Sequence, residues 1–391
     1  MLTIVDVGDG ACSIFRPAVG RSPAMIIDCG SNSLAANEAG DRLELALDNR
    51  IEDVGTILVT HFDTDHYLGL VRLAERMHAT GERFRSLDLL FPAIPSLEYR
   101  TAYLAFAATV TGFRSLDLVR LLQQVTEGRF TYRAVSRGDA FRAAGHEFRV
   151  HWPPHYLGSG IAAQVRTAVQ KFESLANMLH ERGDSILKDN LHRARSGLWA
   201  ASEVGIEDRT NAAYWGAEEA AELGFDDFPE PPLVADQDAW RIDFPDDLKD
   251  DFRSAWNAFR RANNNMSVIC DEVNHRHLVA FGDAEPPVVR EVTRTKALAE
   301  LYAVMLAPHH GTHSLPSSFE VKAVYCVSQN GSKRGHLWHK HCETHKNGRP
   351  CYSTATGSLR VGLQAPWCRS PATSGHTTSW SSNPPHTGSS R

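Results

Sequence analysis

The chain has 391 residues, 42% of them apolar and 23% charged, and a formal net charge of −6. That composition is ordinary for a globular protein with one or two domains and a sizeable core, and it excludes a low-complexity or wholly disordered chain. No apolar run approaches the ~20 residues a membrane helix needs, and no basic-then-apolar leader opens the chain. No membrane span or secretory signal is therefore expected, and the location is read as cytoplasmic.

In chain order, strands are predicted at 2–7, 11–16, 24–28 and 56–60. Leu34, Leu43, Leu45 and Leu47 mark a helix over 34–50, and Leu68, Val71, Leu73 and Met77 mark another from 65 to about 80. Residues 96–127 read as helical, and 141–152 as a hairpin ending at Pro153-Pro154. Val165, Val169, Phe172, Leu175, Ala176 and Leu179 share one face of a helix over 162–182, which Gly183 ends. A returning strand pair is expected at 267–271 and 277–281. No internal sequence repeat is visible. From about Ala365 the chain is rich in Ser, Thr, Pro and Gly, so 364–391 is expected to be a disordered tail.

The densest chemistry is His61-Phe62-Asp63-Thr64-Asp65-His66, directly after the apolar run 56–60. Two imidazoles and two carboxylates this close at a strand end suit two divalent metal ions. Three other apolar runs end in similar residues: Asp28-Cys29-Gly30, Gly282-Asp283-Ala284-Glu285 and Pro308-His309-His310-Gly311. Four strand ends of this kind are far more specific than any one. They point to a metal-dependent hydrolase.

These residues resemble the metallo-β-lactamase superfamily, whose His-x-His-x-Asp-His signature carries Asp63 here in place of the second His. With Gly-Asp-Ala-Glu and Pro-His-His-Gly downstream, the chain is similar to the branch holding the C-terminal hydrolase domain of ComEC/Rec2 competence proteins. Asp6-Val7-Gly8-Asp9-Gly10, Asn264-Asn265-Met266-Ser267, the segment from Ser328 to His336, and Tyr352-Ser353-Thr354 with Gly357-Ser358-Leu359 also resemble that branch. Ala11 stands where it has an acidic residue, and Leu337 where it has Pro.

The resemblance implies an α/β fold, a metallo-β-lactamase-like αββα sandwich, with halves at 1–154 and 263–363. It implies that His61 and Asp63 bind one ion, Asp65 and His66 the other, and that Asp283 bridges them. His310 would complete the second site, being followed by Gly311, while His309 faces the substrate. Asp28 would orient the metal loop, with Asn264, Asn265 and Ser267 close behind the ligands. Catalysis would turn on Asp65, His309 and His336, the last as a proton donor to the leaving oxygen. The ions would be zinc or manganese, with magnesium possible. The expected activity is phosphodiester hydrolysis, with nucleic acid, DNA first, as the substrate. A small-molecule phosphoester or lactone is the alternative, and a partner-regulated component of a bacterial defence or DNA-uptake system is a further one.

Residues 155–262 do not fit that core. Within them, 201–251 hold sixteen Asp/Glu against three Lys/Arg, a charge of −13. This helical, acidic insertion is read as a lid or a docking subdomain for a protein partner, packed through Trp199, Tyr214, Trp215, Trp240 and Trp256. Seven cysteines form no paired framework, so reduced thiols are expected. The Cys/His-rich tract from His336 to His345 is read as a solvated loop.

Overall fold

A computed structural model describes residues 1–17, 22–94, 96–111, 114–196, 245–332, 334, 336–337 and 351–363. Its apolar runs form two seven-stranded sheets. The first holds β1 (Leu2–Ile4), β2 (Cys12–Phe15), β3 (Ala24–Cys29), β4 (Val54–Leu58), β5 (Leu87–Pro92) and β6 (Phe130–Val135) in chain order. The second holds β7 (Ala140–Ala143), β8 (His146–Trp152), β9 (Ile269–Glu272), β10 (Leu278–Ala280), β11 (Leu301–Leu306), β12 (Lys322–Ser328) and β13 (Cys351–Ser353). The last strand, β14 (Leu359–Val361), returns to pair with β1. Both sheets then follow one plan, three antiparallel pairings followed by three parallel ones. The two halves thus repeat in structure although no repeat is legible in sequence.

The sheets face each other across one core, where Leu2, Ile4, Phe15, Met25, Ile27 and Leu58 meet Phe148, Val150, Val268, Leu278, Val304 and Val327. The outer face of the first sheet is covered by α1 (Ala36–Ala46), α2 (Thr64–Thr80) and α4 (Arg114–Gln124), and that of the second by α8 (Pro286–Arg294). Strands buried on both faces read as continuous apolar runs, and all six residues of β3 are buried.

Between the halves sits a helical body of α3 (Leu97–Thr111), α5 (Ser159–Glu181), α6 (Ile186–Ser196) and α7 (Lys249–Asn264). Its core stacks Tyr99, Tyr103, Phe106 and Phe172 on Phe259. The helical reading of 96–127 is therefore two helices that serve different cores. Leu118 and Leu122 of α4 pack on the first sheet, whereas α3 joins the insertion. Trp256 also packs there, while Trp199, Tyr214, Trp215, Trp240, most of the acidic segment, the tract 338–345 and the tail lie outside the described residues. Cys12, Cys29 and Cys270 are buried thiols, but Cys351 is disulfide-bonded, which departs from the all-thiol expectation. Among the described residues, no helix is long and apolar enough to cross a membrane.

The loop 6–10 is wedged between the two halves. Asp9 Oδ1 accepts from Gly331 N at 2.9 Å, and Ala11 N donates to Asp65 O at 3.0 Å. Gly10 is required there because a Cβ would stand 2.1 Å from Gly30 O and 2.7 Å from Ser31 Cα, both main-chain atoms. Gly10→Ala is expected to lower stability by about 1–3 kcal/mol, the usual cost of overpacking, as read by urea unfolding.

Candidate metal centre

Four strands deliver the site from their C-terminal ends, the edge at which α/β sheets generally bind ligands. β4 runs into His61 and then into α2, whose first turn carries Asp65 and His66. β3 ends beside Asp28, held at φ +56°. β10 leads to Gly282-Asp283, and β11 to the turn Pro308–Gly311. In that turn His309 and His310 both have positive φ, +49° and +54°, a conformation L-residues adopt rarely and at a cost. His309 N donates to Gly282 O at 2.9 Å, tying the two strand ends together.

The side chains converge into two overlapping triads, His61–His66–Asp283 and Asp65–His66–His310. Asp283 Oδ1 lies 3.2 Å from His66 Nε2 and 3.3 Å from His310 Nε2, and its Oδ2 lies 3.8 Å from His61 Nε2. His310 Nε2 is 3.4 Å from Asp65 Oδ2 and 3.1 Å from His66 Nε2. Most of these separations exceed the ~2.7–2.9 Å of a charge-assisted hydrogen bond and suit donors arranged around a common centre. His61 Nε2, Asp65 Oδ1 and Asp283 Oδ1 are buried without a hydrogen-bond partner. Orphaned buried polar atoms cost about 1–3 kcal/mol each unless something binds them. Imidazole and carboxylate donors left unpaired in this way fit divalent cations.

Outer hydrogen bonds fix the rings. Asp28 Oδ2 takes His66 Nδ1 at 2.9 Å and Thr60 Oγ1 at 2.7 Å, while Thr60 N donates to Asp28 Oδ1 at 2.7 Å. The Gln329 carbonyl, which can only accept, takes His310 Nδ1 at 2.8 Å. Both imidazoles thereby carry their proton on Nδ1 and turn Nε2 inward, the form a metal ligand needs. Ser267 Oγ accepts from Asp283 N at 3.2 Å.

Other expected residues fall differently. Asp63 joins neither triad. It stands 3.7 Å from His61 Nε2 and accepts from Asn263 Nδ2 at 2.9 Å and Arg260 Nε at 3.3 Å. Asn264 lies beside Glu285. Asn265 is turned away, donating to Gln164 at 2.6 Å while its carbonyl accepts from Trp152 Nε1 at 2.6 Å. His309 stands at the rim, 15% exposed, with Nε2 3.7 Å from Asp283 Oδ2 and Nδ1 3.6 Å from Glu285. His336 is exposed and belongs to no cluster among the described residues.

Arg260 and Asn263 were not anticipated. They lie three residues apart on one face of α7, in the insertion. Asn263 also donates to Tyr103 OH at 3.2 Å, and that hydroxyl donates to Phe62 O in the metal loop. The helical body is thus bonded to the loop it overhangs. The only trace in the sequence was the run Asn263-Asn264-Asn265, of which the first member proves to be the one facing Asp63.

Burial disfavours charge on every group here, but mutual pairing outweighs it. Burial would lower His66 and His310, yet Asp283, with Asp28 for His66 and Asp65 for His310, raises both, His310 to about 10. Burial would raise Asp65 and Asp283, yet the surrounding imidazoles hold both below the carboxylate range. His309 goes the other way, lowered by burial despite Asp283.

Residues 5–134 match the family model described as the metallo-beta-lactamase superfamily. The chain is similar to YhfI of Bacillus subtilis, a metallo-beta-lactamase fold protein, at 7% identity over 92% of this chain and 100% of that one, TM-score 0.39. It is also similar to BJP-1, a subclass B3 metallo-beta-lactamase of Bradyrhizobium japonicum, at 18% identity over 39% of this chain and 46% of that one, TM-score 0.23. A third is the FEZ-1 metallo-beta-lactamase of Legionella gormanii, at 15% identity over 38% and 49%, TM-score 0.22. The match covers about half the length of each of these two enzymes. No functionally curated protein matches the chain. The family match covers about a third of this chain, and the two-sheet α/β fold with its helical insertion is consistent with a metallo-β-lactamase-like fold.

Because His66 and His310 attract protons in the metal-free centre, metal and proton compete. Metal affinity is expected to strengthen as pH rises toward 10, by up to about tenfold per pH unit for each proton displaced, and calorimetry in two buffers should detect proton release. In the metal-free chain the sign reverses. His310 is raised above its usual 6.5, so the stability it contributes is complete below pH 6.5 and lost as pH climbs through about 10.

Proposed function

We propose that this chain is a metal-dependent phosphodiesterase that cleaves nucleic acid, DNA foremost, with two divalent ions, zinc or manganese, held by His61, Asp65, His66, Asp283 and His310. The observation that carries the reading is Arg260, a guanidinium 38% exposed above a buried cluster of carboxylates and imidazoles. One N–H is spent on Asp63, and a guanidinium is a planar fork of donors that matches phosphate. The resemblance to the ComEC/Rec2 hydrolase domain supports the same substrate.

Divalent ions held by these residues would supply Lewis acidity toward a phosphoryl oxygen and would make water a better nucleophile. The chain's own part is positioning. Asp28 and the Gln329 carbonyl hold two rings in register, and His66 is shared between the triads. His309, kept neutral by burial and placed at the rim, exchanges a proton with the leaving oxygen at Nε2, a task for which His336 is too exposed. The insertion acts as the lid that brings Arg260 to the substrate and serves as the docking face for any protein partner, in a cytoplasmic enzyme.

A second reading, hydrolysis of a small phosphoester or lactone, is favoured by the acidic stretch 201–251, which repels a polyanion. The deciding experiment incubates end-labelled single-stranded DNA, duplex DNA and RNA with the protein in manganese, magnesium or zinc. Cleavage is expected to fall roughly thousandfold in Asp283→Ala, the scale of losing several kcal/mol of charge stabilisation. Arg260→Ala should raise KM about 10–100-fold, the worth of one charged hydrogen-bonding group. A folded, metal-loaded protein that cuts none of these polymers but opens lactones or simple esters would establish the second reading instead.

A further inference from the structure

At the other end of the second sheet, three imidazoles and a carboxylate meet. His146 opens β8, Glu272 closes β9, and His275 and His277 occupy the turn between β9 and β10. His277 immediately precedes β10 and Asp283 lies beyond its other end. The strand β10 and the turn at Gly282 separate the two groups. From these residues we infer that His146, Glu272, His275 and His277 form a second metal site, a structural zinc centre that pins the β7–β8 turn to the β9–β10 turn.

The distances decide between this and a set of hydrogen bonds. Nδ1 of His275, His146 and His277 lies 3.3, 3.4 and 3.9 Å from the Glu272 carboxylate oxygens, and all four ligand atoms lie within 4.8 Å of one another. A good N–H···O bond is about 2.9 Å. Ligand atoms bonded at about 2.0–2.2 Å to a tetrahedral zinc stand about 3.3–3.6 Å apart, which two of the three distances match. The third needs only a small closure. The rings also converge, with centroids 5.1 to 5.5 Å apart.

Glu272 has a simpler role as well. Its carboxylate caps the turn, accepting from His275 N at 2.9 Å and His277 N at 3.1 Å. That accounts for one carboxylate but not for three imidazoles aimed at it. His277 is more than nine-tenths buried, and its Nδ1 has no hydrogen-bond partner. Glu272 is held below the usual carboxylate range by the turn N–H groups and His275, although burial opposes this. A His3Glu donor set of this kind suits zinc before harder ions.

The test uses the full chain, loaded with zinc alone, desalted, and counted for zinc per chain. His275 is half-exposed, so His275→Asn is expected to fold normally. His275→Asn and His146→Asn should each hold one zinc fewer than the parent. They should also lose part of the zinc-dependent rise in Tm, roughly 2–6 °C, with hydrolysis unchanged. Asp283→Ala, which impairs the catalytic centre, should keep this zinc, and adding His275→Asn should remove it. Equal zinc content with and without His275→Asn, in both the parent and the Asp283→Ala chain, overturns the site. Failure of the nuclease reading leaves these measurements unaffected.

Discussion

The structure depends on a single electrostatic problem. Asp28, Asp65 and Asp283 are buried within a few ångströms of His61, His66 and His310, where water cannot solvate them. A lone buried charge of this kind costs several kcal/mol, so each must be paired, protonated or bound to a cation. The fold answers by bringing four strand ends to one edge and by spending outer groups, Thr60 and the Gln329 carbonyl, on aiming the rings. The strained pair His309-His310 is part of that answer. Positive φ at both residues is tolerated because the turn puts one imidazole inside the cluster and the other at its mouth.

Much of this was legible in the sequence because it is local. His61 to His66 occupy six consecutive positions, and an apolar run ending in Gly-Asp or Pro-His-His-Gly reveals both a strand and what it carries. The parallel strands, buried on both sides, could be recognised as unbroken apolar stretches. The choice of His310 over His309 for the inner position rested on Gly311, and that glycine sits at φ +73°, continuing the left-handed turn.

What escaped the sequence is long-range. Asp63 looked like a ligand because it occupies a ligand's place in the motif, yet its hydrogen-bond partners come from a helix about two hundred residues away. Arg260 belongs to a segment read only as part of the helical, acidic insertion. Within 96–127, Gly112 stands between the two helices in sequence, but only the cores they serve tell them apart. The group His146, Glu272, His275 and His277 is invisible for the same reason, since one of its members joins through the pairing of β8 with β9.

The centre is also assembled from contacts of very long range. His66 meets His310 across 244 positions, Asp63 meets Asn263 across 200, and Gln329 reaches back to Ser13 across 316. Such contacts form only after much shorter loops have closed, and they govern how slowly a chain assembles. Assembly of this cluster is therefore expected late in folding rather than at its nucleus. No fragment that begins after Asp28 or stops before Gln329 contains every group the centre requires, so the site cannot survive in a half-molecule, however well that half folds.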